Sequence, residues 1–290
     1  MNIYIPLLYS EKVKRPDKRY FLNNILGEDF IILILSFAYP NIQFLGTTVG
    51  LFLLQISFWC IYELGYIEND VVGDKFENKA ILSYNFKSYQ VSFSFWQPWL
   101  WSLGLSALGI LVLLRTEILA DSLSDSVQNG LGLSLPLFYI ALLLWFGFLV
   151  VSRALFYVYN HVNKQSRIWL YFLLQACRYC GYLILISTGI TGLMFSVASI
   201  LTRSIQYILY RYLGGKSSSW PMEFPRYFYC LLIYILLVVI LAINDRDITL
   251  IASPQALLIS AFCVLRGSKH FYKVYTQFLP VSEDGSNQIS

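Results

Sequence analysis

The densest chemistry in the chain lies in one stretch, Tyr62-Glu63-Leu64-Gly65-Tyr66-Ile67-Glu68-Asn69-Asp70-Val71-Val72-Gly73-Asp74-Lys75-Phe76-Glu77-Asn78-Lys79. If a single helix runs through it, Glu63, Asp70, Asp74 and Glu77 follow one another at seven, four and three residues and share a face. Like charges at that spacing repel by a few tenths of a kcal/mol per pair, so the row calls for a cation or for basic partners. Carboxylates beside a polar loop suit Mg²⁺, which typically takes one or two of them together with substrate phosphates. The acids of this row are therefore candidates to hold a cation, and Lys75 and Lys79 candidate phosphate contacts. The plainer reading is a solvated loop of mixed sign just past a helix end. Against it stands Glu63, inside an apolar run, where an ionisable side chain is costly unless paired or hydrated. Arg178 is the expected partner, and a Glu63–Arg178 pair would serve either the site or only the tie between two helices.

Those residues sit in an unusually apolar chain. Of its 290 residues 57% are hydrophobic and 13% charged, against roughly a quarter charged in an ordinary soluble domain. Long stretches carry no charge at all: Phe30 to Tyr62, Ser88 to Leu114, Ser126 to Ser152, Tyr179 to Thr202, Tyr227 to Asn244 and Ile248 to Leu265. A membrane-spanning helix needs about 20 such residues, and the runs lack the alternation of a membrane β-barrel strand. At the amino terminus the apolar residues precede the basic cluster, the reverse of a secretory signal, so this segment is expected to be retained. The five cysteines all fall in apolar runs and are read as packing residues, the Cys177-Cys180 pair included. Nothing in the net charge of +4 points to nucleic acid.

The pattern predicts an all-α polytopic bundle of about eight spans: near Phe21 to Tyr39, Ile42 to Ile67, Phe95 to Leu114, Leu133 to Tyr157, Ile168 to Ser187, Ile190 to Tyr210, Tyr227 to Ile243 and Ile248 to Leu265. Residues 1–280 form one transmembrane domain in this reading, and 281–290 a disordered cytoplasmic tail. Short basic loops stay in the cytoplasm. With both termini there, only Arg115 and Arg246 of the 21 lysines and arginines fall outside, while Arg178 lies within a span. The expected location is a membrane of the bacterial inner, cytoplasmic type. Trp96, Trp99 and Trp101 stand where an interfacial aromatic belt would lie.

A second span followed by Asn69-Asp70 and further acids resembles the first aspartate-rich motif, NDxxDxxxD, of the UbiA superfamily of intramembrane prenyltransferases. Asn69 and Asp70 match, Glu77 takes the last acidic place, and Gly73 stands where the middle Asp belongs, with Asp74 next to it. The resemblance implies a bundle of nine helices in most members, Mg²⁺ held by Asn69, Asp70, Asp74 and Glu77 with Asp70 and Asp74 as the catalytic acids, a polyprenyl diphosphate as donor and a hydrophobic acceptor attacking the allylic cation. The family's second motif would follow the sixth span. Here the segment from Arg203 to Arg226 offers only Glu223 as an acid, with Arg203, Arg211 and Lys216 as basic groups and Gly214-Gly215 as flexible points for a lid. Arg211 is the candidate diphosphate ligand from that segment.

Two readings follow. In the first, the protein is a Mg²⁺-dependent prenyltransferase that moves an isoprenoid group from its diphosphate to an acceptor in the lipid bilayer. In the second, carried by the missing second motif, it is a non-catalytic multi-pass protein that binds lipid, serves a transporter or assists assembly. Asn160, His161, Asn163 and Lys164 form a further polar loop on the cytoplasmic side that could border the same site.

Overall fold

The computed structural model describes residues 3–16, 18–39, 41–77, 82–88, 94–116, 118–119, 136–163, 165–212 and 223–275. Among them there is no β-strand. Helices follow one another in the predicted order: α1 Phe21–Ala38, α2 Phe44–Phe76, α3 Trp96–Leu114, α4 Leu137–His161, α5 Ser166–Cys180, α6 Ile190–Tyr212, α7 Glu223–Asn244 and α8 Pro254–Tyr275. Much of α1 is wound in wide π-type turns, over Phe21–Phe30 and Ile34–Ala38. Six stretches are long and apolar enough to cross a membrane: α1, α2, α3, α4, α6 and Arg226–Asn244 within α7. The chain is an all-helical, multi-pass bundle.

Two predicted spans have different bounds. The fifth is regular only over the 15 residues of α5 and continues as a 3₁₀ turn, Gly181–Ile184, which leaves its α-helical part short of the length a span needs. The eighth begins at Pro254, six residues later than expected. Proline fits a first helical turn because its missing N–H needs no partner there, and the Ser253 hydroxyl accepts from the Ala256 N–H at 3.2 Å as an N-cap should. Upstream, Asp247 accepts from the Thr249 N–H at 3.0 Å and starts a separate 3₁₀ turn, Ile248–Leu250.

Contacts divide the chain into two compact units, residues 1–200 and 201–290, with the boundary inside α6. In the first, α2 packs chiefly on α3 and α4, and α4 on α5. Small residues let α2 and α3 approach: a Cβ on Gly109 would lie 3.1 Å from the Gly50 carbonyl oxygen and 3.2 Å from Leu53 Cβ. With no water to compete, side-chain hydrogen bonds reinforce such contacts. Ser57 and Ser102 hydroxyls meet at 2.9 Å, and Trp145 of α4 donates to Ser57 at 3.2 Å. Aromatic rings fill the rest of the core. Phe156 meets Tyr62 edge to face at 4.7 Å, and Phe148 stacks on Phe58 at 5.8 Å. Trp96 and Trp101, predicted for an interfacial belt, are exposed at the start of α3 and along it. In the second unit α7 pairs with α8.

Candidate functional site

The helix does continue through the acidic stretch. α2 runs 33 residues, nine beyond the predicted end of the span, so the stretch as far as Phe76 is helix and not a solvated loop. Glu63 and Asp70 lie two turns apart on one face, 0% and 1% exposed. Against them lies the amino-terminal segment, residues 3–16, a strap that crosses the end of α2.

Glu63 is the strap's anchor. Its Oε2 accepts from the Tyr4 hydroxyl at 2.7 Å and the Leu7 N–H at 2.9 Å, and its Oε1 from the Ser10 N–H at 2.7 Å. Leu7 holds the left-handed conformation, φ 68°, which costs roughly 1–2 kcal/mol for a residue with a Cβ. Leaving the buried Leu7 N–H without its Glu63 acceptor would cost about 1–3 kcal/mol, enough to hold Leu7 there. The expected Glu63–Arg178 pair does not form. Arg178 instead clasps Asp29 of α1, through Nε at 2.9 Å and a closer contact from the guanidinium NH2 group, and the Tyr179 hydroxyl donates to the other Asp29 oxygen at 2.8 Å. Arg178 also lies over the Trp59 ring at 4.8 Å. This corrects the sequence reading. Glu28 and Asp29 fall inside the predicted first span, and either was available to a buried arginine before Glu63 was.

Asp70 is the strap's second fastening. The Tyr9 hydroxyl donates to its Oδ2 at 2.7 Å, the Ser83 hydroxyl donates to the same oxygen, and the Ser83 N–H donates to Oδ1 at 3.2 Å. Burial, followed by the hydrogen bond to Asp70, holds the Tyr9 phenol well above its ordinary range. Lys14 lies nearby, its Nζ 3.6 Å from the centre of the Tyr66 ring. Burial lowers the Lys14 ammonium to about 8, opposed by the attraction of Asp70 and reinforced by Arg15. Tyr4, Tyr9 and Lys14 are the residues that sequence reasoning missed. The only signal was two tyrosines and a lysine in a short segment whose apolar half precedes its basic half.

The other predicted ligands part company. Asp74 and Lys75 are exposed, and Asn69 is half-buried. The helix ends at Phe76, and Glu77 adopts an extended backbone, φ −101° and ψ 120°. That turns Glu77 away from the acid row to meet Arg167 NH1 at 2.9 Å. Lys79 lies outside the described residues, as do Lys164, Gly214-Gly215, Lys216 and the tail 281–290. Arg211 is not in a loop: α6 extends to Tyr212, and Arg211 donates from Nε to the Tyr207 hydroxyl at 2.7 Å within the second unit.

Asn69, Asp70, Asp74 and Glu77 therefore do not fit a metal as a set. Both Asp70 oxygens already accept protein hydrogen bonds, Glu77 is paired, and among the described residues no three His, Cys, Asp or Glu side chains stand where one ion could take them all.

The opposite face of α2 carries a different arrangement. Val72 lies two residues past Asp70, nearly half a helical turn round. It borders an open cleft of about 560 Å³ with Phe76, Glu77, Asn160, His161 and Arg167. None of Glu63, Asp70 and Asp74 lines it. Asn160 ties α4 to α2, donating from Nδ2 to the Gly65 carbonyl at 3.0 Å and to Glu68 at 2.9 Å. Arg153 also meets Glu68, at 2.8 Å. Gly65 admits this approach because any Cβ there would overlap the Phe156 ring.

The fold and these sites define a multi-pass helical membrane protein with a strap-fastened acid face and a cleft of mixed lining behind it. No family model, no curated protein and no solved structure matches the chain.

Proposed function

We propose that this chain is a prenyltransferase-like protein of a bacterial-type cytoplasmic membrane, binding an isoprenoid diphosphate at the cytoplasmic end of its second span for transfer to a hydrophobic acceptor. The observation that carries this reading is the burial of Asp70. An acid just past a span would ordinarily be solvated. This one is 1% exposed, carried by a helix that runs on to Phe76, with Lys14 near it and Asp74 and Lys75 exposed one turn further along. Asn69-Asp70 and the acids after it resemble the first motif of the UbiA superfamily, whose members use Mg²⁺.

The residues present do not hold that ion in the described arrangement, so no step is assigned to it. What the chain supplies by itself is a carboxylate screened from lipid, an adjacent ammonium with a lowered proton affinity to meet a phosphate oxygen, and an apolar bundle that excludes water. Use of Asp70 by a ligand requires Tyr9 and Ser83 to release it.

One observation favours a second reading. Glu63 and Asp70 are spent on Tyr4, Leu7, Ser10, Tyr9 and Ser83, and acids used as internal fastenings suit a non-catalytic multi-pass protein. Equilibrium binding of farnesyl and longer prenyl diphosphates to the purified protein, with and without Mg²⁺, separates the two. The transferase-like reading expects saturable, Mg²⁺-dependent binding that Asp70→Asn reduces at least tenfold. No binding at any chain length, or binding that ignores both Mg²⁺ and Asp70→Asn, leaves the second reading standing.

A further inference from the structure

The cleft behind α2 is an incomplete hydrogen-bond network. Arg167 is 7% exposed and uses NH1 on Glu77 at 2.9 Å and NH2 on the Asn160 carbonyl at 3.1 Å, yet its Nε–H has no partner among the described residues. Asn160 is 1% exposed and both its Nδ2 contacts are made, yet its Oδ1 has no partner among the described residues. An orphaned buried donor or acceptor in a dry site is destabilising. Here one donor and one acceptor, themselves buried and held by four other bonds, belong to two residues that line a cleft open to the outside. Such rigid, half-finished networks mark places where something else completes the bonding.

The charge balance says what kind of group that is. Arg167 is matched by Glu77 and Arg153 by Glu68, so among the described residues around the cleft no positive charge is left over to hold an anion. A neutral group that both accepts and donates fits: a hydroxyl takes the Arg167 Nε–H on its lone pair and gives its own proton to Asn160 Oδ1. His161 lies at the cleft too, its Nδ1–H directed to the Tyr157 carbonyl at 2.8 Å; that leaves Nε2 of the neutral ring as a second acceptor. Val72 and Phe76 supply an apolar wall, and the cleft sits where α2 and α4 end.

We infer that this cleft binds the hydroxyl head of a neutral amphiphile, with its chain lying along Val72 and Phe76. The site is on the far side of α2 from Asp70 and stands whether or not the chain binds an isoprenoid diphosphate.

The test uses the full chain in nanodiscs with a diazirine-bearing long-chain alcohol as photoprobe, competed by dodecanol, dodecyl phosphate or dodecane. The expected result is saturable labelling on peptides spanning 72–77 and 157–167, displaced by dodecanol at a concentration at least tenfold below that of the other two. Asn160→Leu should reduce labelling at least tenfold. Because Asn160 also ties two helices, Val162→Trp is the companion variant; it fills the cleft from its rim without touching the Arg167, Asn160 or Glu77 bonds, and should abolish labelling while the thermal midpoint stays within a few degrees. Labelling that does not saturate, that survives Val162→Trp, or that dodecyl phosphate displaces as well as dodecanol does would overturn the inference.

Discussion

Two faces of one helix treat their acids in opposite ways. On the strap face of α2, Glu63 and Asp70 are each surrounded by donors from elsewhere in the chain, and every carboxylate oxygen has a hydrogen bond. On the cleft side, Glu68 and, just past the helix end, Glu77 have their arginines, but among the described residues the network they belong to ends in an unpaired donor and an unpaired acceptor. Burial alone does not separate the two, since Asn160 is as buried as Asp70. The difference is whether the described residues complete the bonding. A completed acid is a fastening, and removing it loosens structure; an incomplete network is a place for a ligand, and changing its rim changes binding more than stability.

The largest effect should come from removing the anchor. Glu63→Ala leaves the Tyr4 hydroxyl and the Leu7 and Ser10 N–H groups without their acceptor, each at about 1–3 kcal/mol. Unfolding in mixed micelles should show a loss of at least roughly 3 kcal/mol, and limited proteolysis should cut within residues 3–16. Next comes Gly65→Ala, which forces a Cβ into the Phe156 ring and should cost about 1–3 kcal/mol, read in the same unfolding measurement. On the cleft rim, by contrast, His161→Ala removes an exposed ring and should change stability by less than about 0.5 kcal/mol. A rim loss as large as the Glu63 loss would erase the distinction between the faces.

The smallest effect is a pH dependence from Lys14. Its folded-state affinity for a proton is lowered to about 8, below the unfolded value of about 10.4. Between those limits the unfolded chain holds the proton that the folded chain has lost, so stability rises with pH across that window. Lys14→Met should flatten the rise. The measurement is the unfolding midpoint from pH 7.5 to pH 10.

The bundle was largely legible because apolar runs report lipid contact directly. α3 starts at Trp96 and α6 at Ile190, within a residue of their expected positions. The end of α2 was not, since Glu63, Asp70 and Asp74 look like the close of a span until the strap that shields two of them is known. That strap makes contacts across more than fifty residues of sequence, and nothing local in Tyr4 or Tyr9 names their partners. The break at Glu77 was hidden for a related reason: the one-face arithmetic holds only while the helix lasts, and it lasts to Phe76. The cleft was partly foreshadowed, for Asn160, His161 and Asn163 do line it, but on the face away from the acids they were expected to join.

The central claim, that Asp70 fastens the amino-terminal strap, is tested most directly by a double-mutant cycle on Tyr9 and Asp70. Unfolding free energies of Tyr9→Phe, Asp70→Asn and the double variant give the coupling between them. The hydrogen bond at 2.7 Å to a buried carboxylate predicts a coupling of about 1.5 kcal/mol or more, with the double variant little worse than the poorer single. Strictly additive losses would contradict it.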